Sequence, residues 1–151
     1  MAGRAGGPVT AKAFWDSSAL IPLCVKQQST LRLIPFYRAY AIVMWWATPV
    51  EIFSGLARLL RMKSISTAEH AHGRNLATLL VDSASIIQPS DTLRKQAGIL
   101  VEQYDLRAGD AFQLAAALEW CGKISRSRVF FTTDRRLGEA ALLSGFDVRQ
   151  I

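Results

Sequence analysis

Short, densely apolar runs alternate along this chain with longer stretches in which apolar residues recur every three or four positions. The first pattern predicts buried strands, the second amphipathic helices. Strands are read at Ala13 to Trp15, Ala41 to Trp45, Ala84 to Gln88, Arg128 to Thr132 and Asp147 to Gln150. Helices fill the intervals: Ser18 to Lys26, Thr30 to Tyr40, Thr48 to Met62, Ser66 to Val81, Ser90 to Gln103, Gly109 to Cys121 and Leu137 to Ser144. Ser29 or Thr30 is expected to cap the second helix. Thr48-Pro49-Val50-Glu51 reads as a capping box with Thr as N-cap, Pro at N1 and Glu at N3. Ser66-Thr67-Ala68-Glu69 repeats that spacing.

Strands separated by helices or helix pairs predict an α/β domain with a short, mainly parallel five-stranded sheet. Right-handed crossovers place helices on both faces, giving three α/β/α layers. Ligands of such sheets bind at the carboxyl ends of the strands, near a switch in strand order. The glycine-rich residues 1–11 read as a flexible tail and 12–151 as the folded domain. The tail lacks the continuous apolar core of a secretory signal. No apolar run approaches the roughly 18 residues of a membrane span. A cytoplasmic protein is the default expectation. Cys24 and Cys121 fall inside apolar helical patterns and read as buried free thiols. The net charge of +6 suits an anionic partner such as nucleic acid, with plain solubility as the alternative.

Four acids stand out against that positive background. Asp16 follows the first strand, Glu51 opens the helix after the second, Asp110 opens the alanine-rich helix, and Asp134 follows the fourth strand. Each has an ordinary explanation in helix capping or in the favourable interaction of an acid with a helix N-terminus. Carboxylates converging from distant segments also suggest a divalent cation that offsets their repulsion. The remaining acids sit at helix ends or on polar faces, and Asp105 reads as a loop residue. His70 and His72 are spaced i, i+2 and do not share a helix face, so the paired-histidine zinc site is not expected. The phosphate loop, the dinucleotide-binding glycines and the serine elbow are all missing from the sequence. Asp16 also lacks the second aspartate of dehalogenase-like phosphatases and the acidic neighbour of receiver domains.

Taken together, four ordered segments resemble the PIN-domain ribonucleases, specifically the VapC-type toxins of bacterial toxin–antitoxin pairs. They are Asp16-Ser17-Ser18-Ala19-Leu20, Glu51 with the basic helix to Arg61, Leu106 through Ala117 around Asp110, and Phe131-Thr132-Thr133-Asp134-Arg135-Arg136-Leu137. The third is the most specific, and the resemblance covers about Lys12 to Ile151. Trp15 departs from it, standing where a smaller apolar residue is common. The resemblance implies a PIN-like fold and an endoribonuclease in which Asp16, Glu51, Asp110 and Asp134 hold one or two Mg²⁺ or Mn²⁺ ions. The metal would activate the attacking water and stabilise charge on the phosphate oxygens. Ser18, Thr132 and Thr133 are candidates to orient a ligand or water, or simply to cap helices. Arg58, Arg61, Lys63, Arg135 and Arg136 are candidates for RNA phosphate contacts. A cognate antitoxin and a homodimer are implied as partners, with Phe36, Tyr37 and Tyr40 available for a groove, a dimer surface or the core. The rival readings are an RNA-processing PIN nuclease without an antitoxin, and a catalytically idle PIN module that binds RNA or protein.

Overall fold

The computed structural model describes residues 11–151. The tail assigned to residues 1–11 therefore lies outside the described residues except for Ala11, which opens the first strand. The order is β1 (Ala11–Trp15), α1 (Ser17–Cys24), α2 (Thr30–Ala39), β2 (Tyr40–Trp45), α3 (Thr48–Arg61), α4 (Thr67–Ser83), β3 (Ser85–Ile87), α5 (Asp91–Gln103), α6 (Ala108–Trp120), β4 (Val129–Thr132), α7 (Arg135–Leu143) and β5 (Asp147–Gln150). Every strand pairing is parallel, in the order β3-β2-β1-β4-β5. The connection from β1 to β2 runs one way across the sheet and β4 returns to the other side of β1. The switch in strand order therefore falls between β1 and β4.

Alternation along the central strands builds two cores. Ala13 and Trp15 of β1, Ile42 and Met44 of β2, and Val129 and Phe131 of β4 pack against helices α1 to α4. Phe14, Val43 and Phe130 point the other way, against α5, α6 and α7. Side chains of successive strand residues leave opposite faces of a sheet, so one short strand serves both layers. Phe14 stacks on Phe130 and Trp15 tilts over Phe131, with ring centroids 5.2 and 4.2 Å apart. Burying an aromatic or aliphatic side chain of this size contributes about 1.5–3 kcal/mol. Trp15 fills its place at some cost, since its indole N–H is buried with no partner among the described residues.

The helices follow from their residues. Alanine and leucine have the highest helix propensities, and in α6 the small Ala111, Ala115, Ala116 and Ala117 are all fully buried, which lets this helix lie close against the sheet. Ser66 and Glu69 form the expected capping box at the start of α4, and Ser90 accepts the N–H of Leu93 at the start of α5. The other two capping expectations fail. At α2, Ser29 makes no side-chain cap; the Thr30 hydroxyl donates instead to the Pro22 carbonyl and accepts from the Gln27 N–H. At α3, the N-cap is Ala47 rather than Thr48, so Glu51 lies one residue beyond the capping-box position. The physical reason is the short passage out of β2: Trp46 N–H is bonded to the Ile87 carbonyl, and the helix begins at once.

Cys24 and Cys121 are buried free thiols, one in each core. Burial pushes the Cys24 thiol up to about 12, so it behaves as a small apolar group. Tyr37 is buried, and the partly buried Phe36 and Tyr40 pack on Phe131, which places these aromatics in the core rather than on an open groove. Among the described residues, no helix is long and apolar enough to cross a membrane.

Candidate active site

β1 and β4 are adjacent and parallel, so both chain ends leave the sheet at the same edge, and the residues that follow are Asp16 and Asp134. Each caps the helix that comes next. Asp16 Oδ1 accepts from Ala19 N–H at 3.4 Å and from the Ser18 hydroxyl at 2.7 Å. Asp134 Oδ1 accepts from Leu137 N–H at 2.8 Å. Thr133 N–H donates to Ser18 Oγ at 2.9 Å, and Asp134 N–H donates to Thr132 Oγ1 at 2.9 Å. The hydroxyls of Ser18 and Thr132 are themselves 3.3 Å apart. Ser18, Thr132 and Thr133 thus clamp the two strand ends together and fix both aspartates.

Glu51 arrives from the opposite neighbour of β1. Gly55, one turn further along α3, allows the close approach, because a Cβ there would run into Ile21 Cδ1 of α1. Glu51 Oε2 accepts from the Ser17 hydroxyl at 2.8 Å and from the Gln113 amide at 2.9 Å. Gln113 is buried and also donates to Thr48 Oγ1 at 3.0 Å. It lies one helical turn after Asp110, so α6 supplies both an acid and the group that holds another acid in place. Sequence reasoning missed Ser17 and Gln113. The available signal was a lone amide inside an otherwise apolar, alanine-rich helix, which must find a partner if buried.

Electrostatics show the four acids to be neighbours. Burial raises the Asp16 carboxyl to about 7; the Ser18 hydroxyl, the Ala19 N–H and the Thr132 hydroxyl oppose that rise, and the charge of Asp110 adds to it. Asp110 is raised as well, by partial burial first, then by the charges of Asp134 and Glu51, with Arg107 pulling the other way. Asp110 is therefore the acid that neighbours each of the other three. Arg107 was not among the candidate cations.

One feature of the hydrogen bonding bears on chemistry. Glu51 and Asp134 each give one carboxylate oxygen to protein donors, while the other has no hydrogen-bond partner among the described residues. Asp110 has none at either oxygen. Among the described residues, no three Asp, Glu, His or Cys side chains are arranged to hold one metal ion directly. A hard cation that keeps most of its waters needs only one or two direct carboxylates, so this all-oxygen set fits such an ion through shared waters.

The candidate cations divide. Arg135 and Arg136 line a cleft of about 350 Å³ with Asp110, Asp134 and Arg107. Arg135 also pairs with Glu139 at 3.0 Å and Arg136 with the loop residue Asp105 at 3.6 Å, both well exposed. Arg58 lines a second cleft with Ser18 and Thr133. Arg61 and Lys63 are not brought to the acids. Arg61 lies ten residues beyond Glu51 on the same helix, roughly 15 Å at 1.5 Å per residue, and Lys63 is further still.

No family model and no curated protein matches the chain. Solved structures do resemble it. Similar folds occur in PAE2754 from Pyrobaculum aerophilum, at TM-score 0.58 and 22% identity, covering 89% of this chain and 87% of that one. A toxin–antitoxin complex from Klebsiella pneumoniae is similar at TM-score 0.57 and 18% identity, covering 82% of this chain and 87% of that one. FitAcB from Neisseria gonorrhoeae is similar at TM-score 0.58 and 13% identity, covering 89% and 96%. At these identities the likeness is one of fold, and that fold is the three-layer, parallel, PIN-like α/β/α arrangement the sequence motifs imply.

Proposed function

We propose that this chain is a metal-dependent endoribonuclease acting as the toxin of a toxin–antitoxin pair. The observation that carries the reading is the set of unpartnered carboxylate oxygens at the switch edge of the sheet. Burial raises Asp16 and Asp110 there, the neighbouring acid charges raise Asp110 further, and Arg107 is the cation that opposes the rise at Asp110. Such an arrangement is unfavourable by itself and favourable around a divalent cation. When bound, Mg²⁺ or Mn²⁺ supplies activation of the attacking water and neutralisation of charge on the phosphate.

The chain's own residues do the rest. Asp16, Glu51, Asp110 and Asp134 hold the ion, directly or through water. Ser17 and Gln113 fix Glu51 so that it presents its unpartnered oxygen, while Ser18 fixes Asp16. Partner groups of this kind typically account for 10–100-fold in affinity or activity. Arg107, Arg135 and Arg136 line the adjoining cleft, where a phosphate group would meet cations beside the acids. The likeness to a toxin–antitoxin complex supports an antitoxin as the natural inhibitor, with an arginine placed among the carboxylates as the simplest means of masking them. A homodimer bound to that antitoxin is the expected assembly.

The test is cleavage of total bacterial RNA by the purified protein with Mg²⁺ or Mn²⁺, with EDTA, and with the Asp110→Asn variant. Discrete products with wild type and metal, lost in EDTA and reduced roughly a hundredfold or more in the folded variant, are expected. Cleavage that survives both controls would sink the reading. A folded protein that neither binds metal nor cuts RNA would favour the idle binding module.

A further inference from the structure

Beyond the acids and the cleft of Arg107, Arg135 and Arg136, a second opening adjoins the site. It has a volume of about 450 Å³ and is lined by Gln27, Gln28, Ser29, Arg32, Thr133 and Ile151. It shares Gln27 and Thr133 with the smaller cleft that holds Ser18 and Arg58. Its position relative to the acids is fixed by two hydrogen bonds. Ser18 Oγ donates to Asp16 at 2.7 Å and accepts from Thr133 N–H at 2.9 Å.

The lining has a distinct chemistry. Arg135 and Arg136 have acidic partners on the surface, whereas Arg32 and Arg58 have neither an ion pair nor a hydrogen bond among the described residues. The side-chain amides of Gln27 and Gln28 are likewise unbonded, although the Gln27 backbone N–H is held by Thr30. That bond fixes the connection between α1 and α2 while leaving the amides exposed. An amide carries both a donor and an acceptor and so matches the edge of a nucleobase, while a guanidinium matches a phosphate. Two neutral amides beside one unpaired arginine make a poor site for charge alone.

We infer that this cleft takes the nucleotide next to the scissile phosphate of single-stranded RNA, with Arg32 on its phosphate and Gln27 and Gln28 on its base. The strand is single because base edges are open to side chains where RNA is unpaired, and closed to them in the deep groove of an A-form helix. This assignment rests on the nuclease reading above. It makes Gln27 and Gln28 specificity-determining residues and Arg32 a binding residue, none of them catalytic.

The experiment compares full-length wild type with Arg32→Ala, with the double variant Gln27→Ala/Gln28→Ala, and with Arg94→Ala as a control for lost charge. All four substituted positions are exposed, so the fold is retained, as circular dichroism would verify. Product ends are mapped in total RNA, and binding of a short single-stranded oligonucleotide is measured over a range of salt in the Asp110→Asn background. Arg32→Ala is expected to raise KM about tenfold with kcat unchanged, as for a lost charged hydrogen bond, and to flatten the salt dependence of log K by about 0.7. The glutamine variant is expected to redistribute the cleavage sites while leaving the salt slope alone. Arg94→Ala should change neither. Unchanged KM, salt slope and product ends in an active protein overturn the cleft assignment and leave the nuclease intact. Weakened antitoxin binding with unaltered RNA behaviour assigns the cleft to a protein segment and also overturns it. A wild type that neither binds nor cuts RNA removes both readings.

Discussion

Thr48-x-x-Glu51 and Ser66-x-x-Glu69 have the same spacing at the start of two neighbouring helices, yet their glutamates end in opposite situations. Glu69 accepts the Ser66 N–H at 2.7 Å, while Ser66 accepts the Glu69 N–H at 3.1 Å. The Ser66 backbone N–H and hydroxyl hold the Glu69 carboxyl below its ordinary range, and the group is wholly local in its bonding. Glu51 is one residue out of register with its cap, and its partners, Ser17 and Gln113, are 34 and 62 residues away in sequence. A glutamate used for capping is satisfied within its own helix turn. One left over at a helix start is available for a site.

That comparison is broken most directly at Gln113. Gln113→Ala removes the amide that positions Glu51 and leaves Glu69 untouched. A 10–100-fold loss of cleavage and of metal affinity is expected, measured by oligonucleotide cleavage and calorimetry. Glu69→Gln should leave both at wild-type levels. Equal losses in the two variants would mean that Gln113 acts through fold stability alone.

Asp16 extends the contrast to pH. Its folded carboxyl lies near 7 against an ordinary 3.8, so the folded state binds this proton more tightly than the unfolded chain does. Its contribution is therefore lost as pH rises from about 4 to about 7, by up to the order of 4 kcal/mol. In EDTA, the wild-type melting temperature should fall between pH 5 and pH 8, and Asp16→Asn should flatten that fall while abolishing cleavage. A decline of equal steepness in the variant would assign it to other groups. Glu69 acts in the opposite sense, since a depressed carboxyl contributes above its ordinary range and loses that contribution as pH falls.

Ser66→Ala tests the local side. It should lower stability by about 1 kcal/mol, read from denaturant unfolding, with cleavage unaffected. The smallest effect is expected from Arg135→Ala, whose ion pair with Glu139 is exposed and worth little. It should weaken RNA binding modestly and reduce its salt slope, and an unchanged slope would remove Arg135 from the contact surface.

The elements were legible because strands such as Val129–Thr132 are wholly buried and read as unbroken apolar runs, while α3 and α7 carry periodic faces. Alternation of strand and helix carried the parallel topology, and Asp16 and Asp134 were expected at one sheet edge, where the fold places them. What was not legible depended on distant chain. The cap of α3 shifts because Trp46 is tied to Ile87 of β3, which no local spacing records. Gln113 as the partner of Glu51 is a tertiary fact, visible beforehand only as an odd polar residue in α6. Arg61 and Lys63 looked equivalent to Arg58 in sequence, but the rise of a straight helix carries them away from the acids.

The sheet order has a further consequence, for the time at which the site comes into being. β1 comes earliest among the described strands and lies in the middle of the sheet, and its partner β4 begins at Val129. A nascent chain that has not yet delivered β4 lacks Phe130 and Phe131 from both cores, and Asp134 with the threonine clamp from the edge. The four acids thus come together only once the segment from Val129 to Asp134 has joined the sheet. In a chain built this way the candidate site does not exist until its two distant halves have met across β1 and β4.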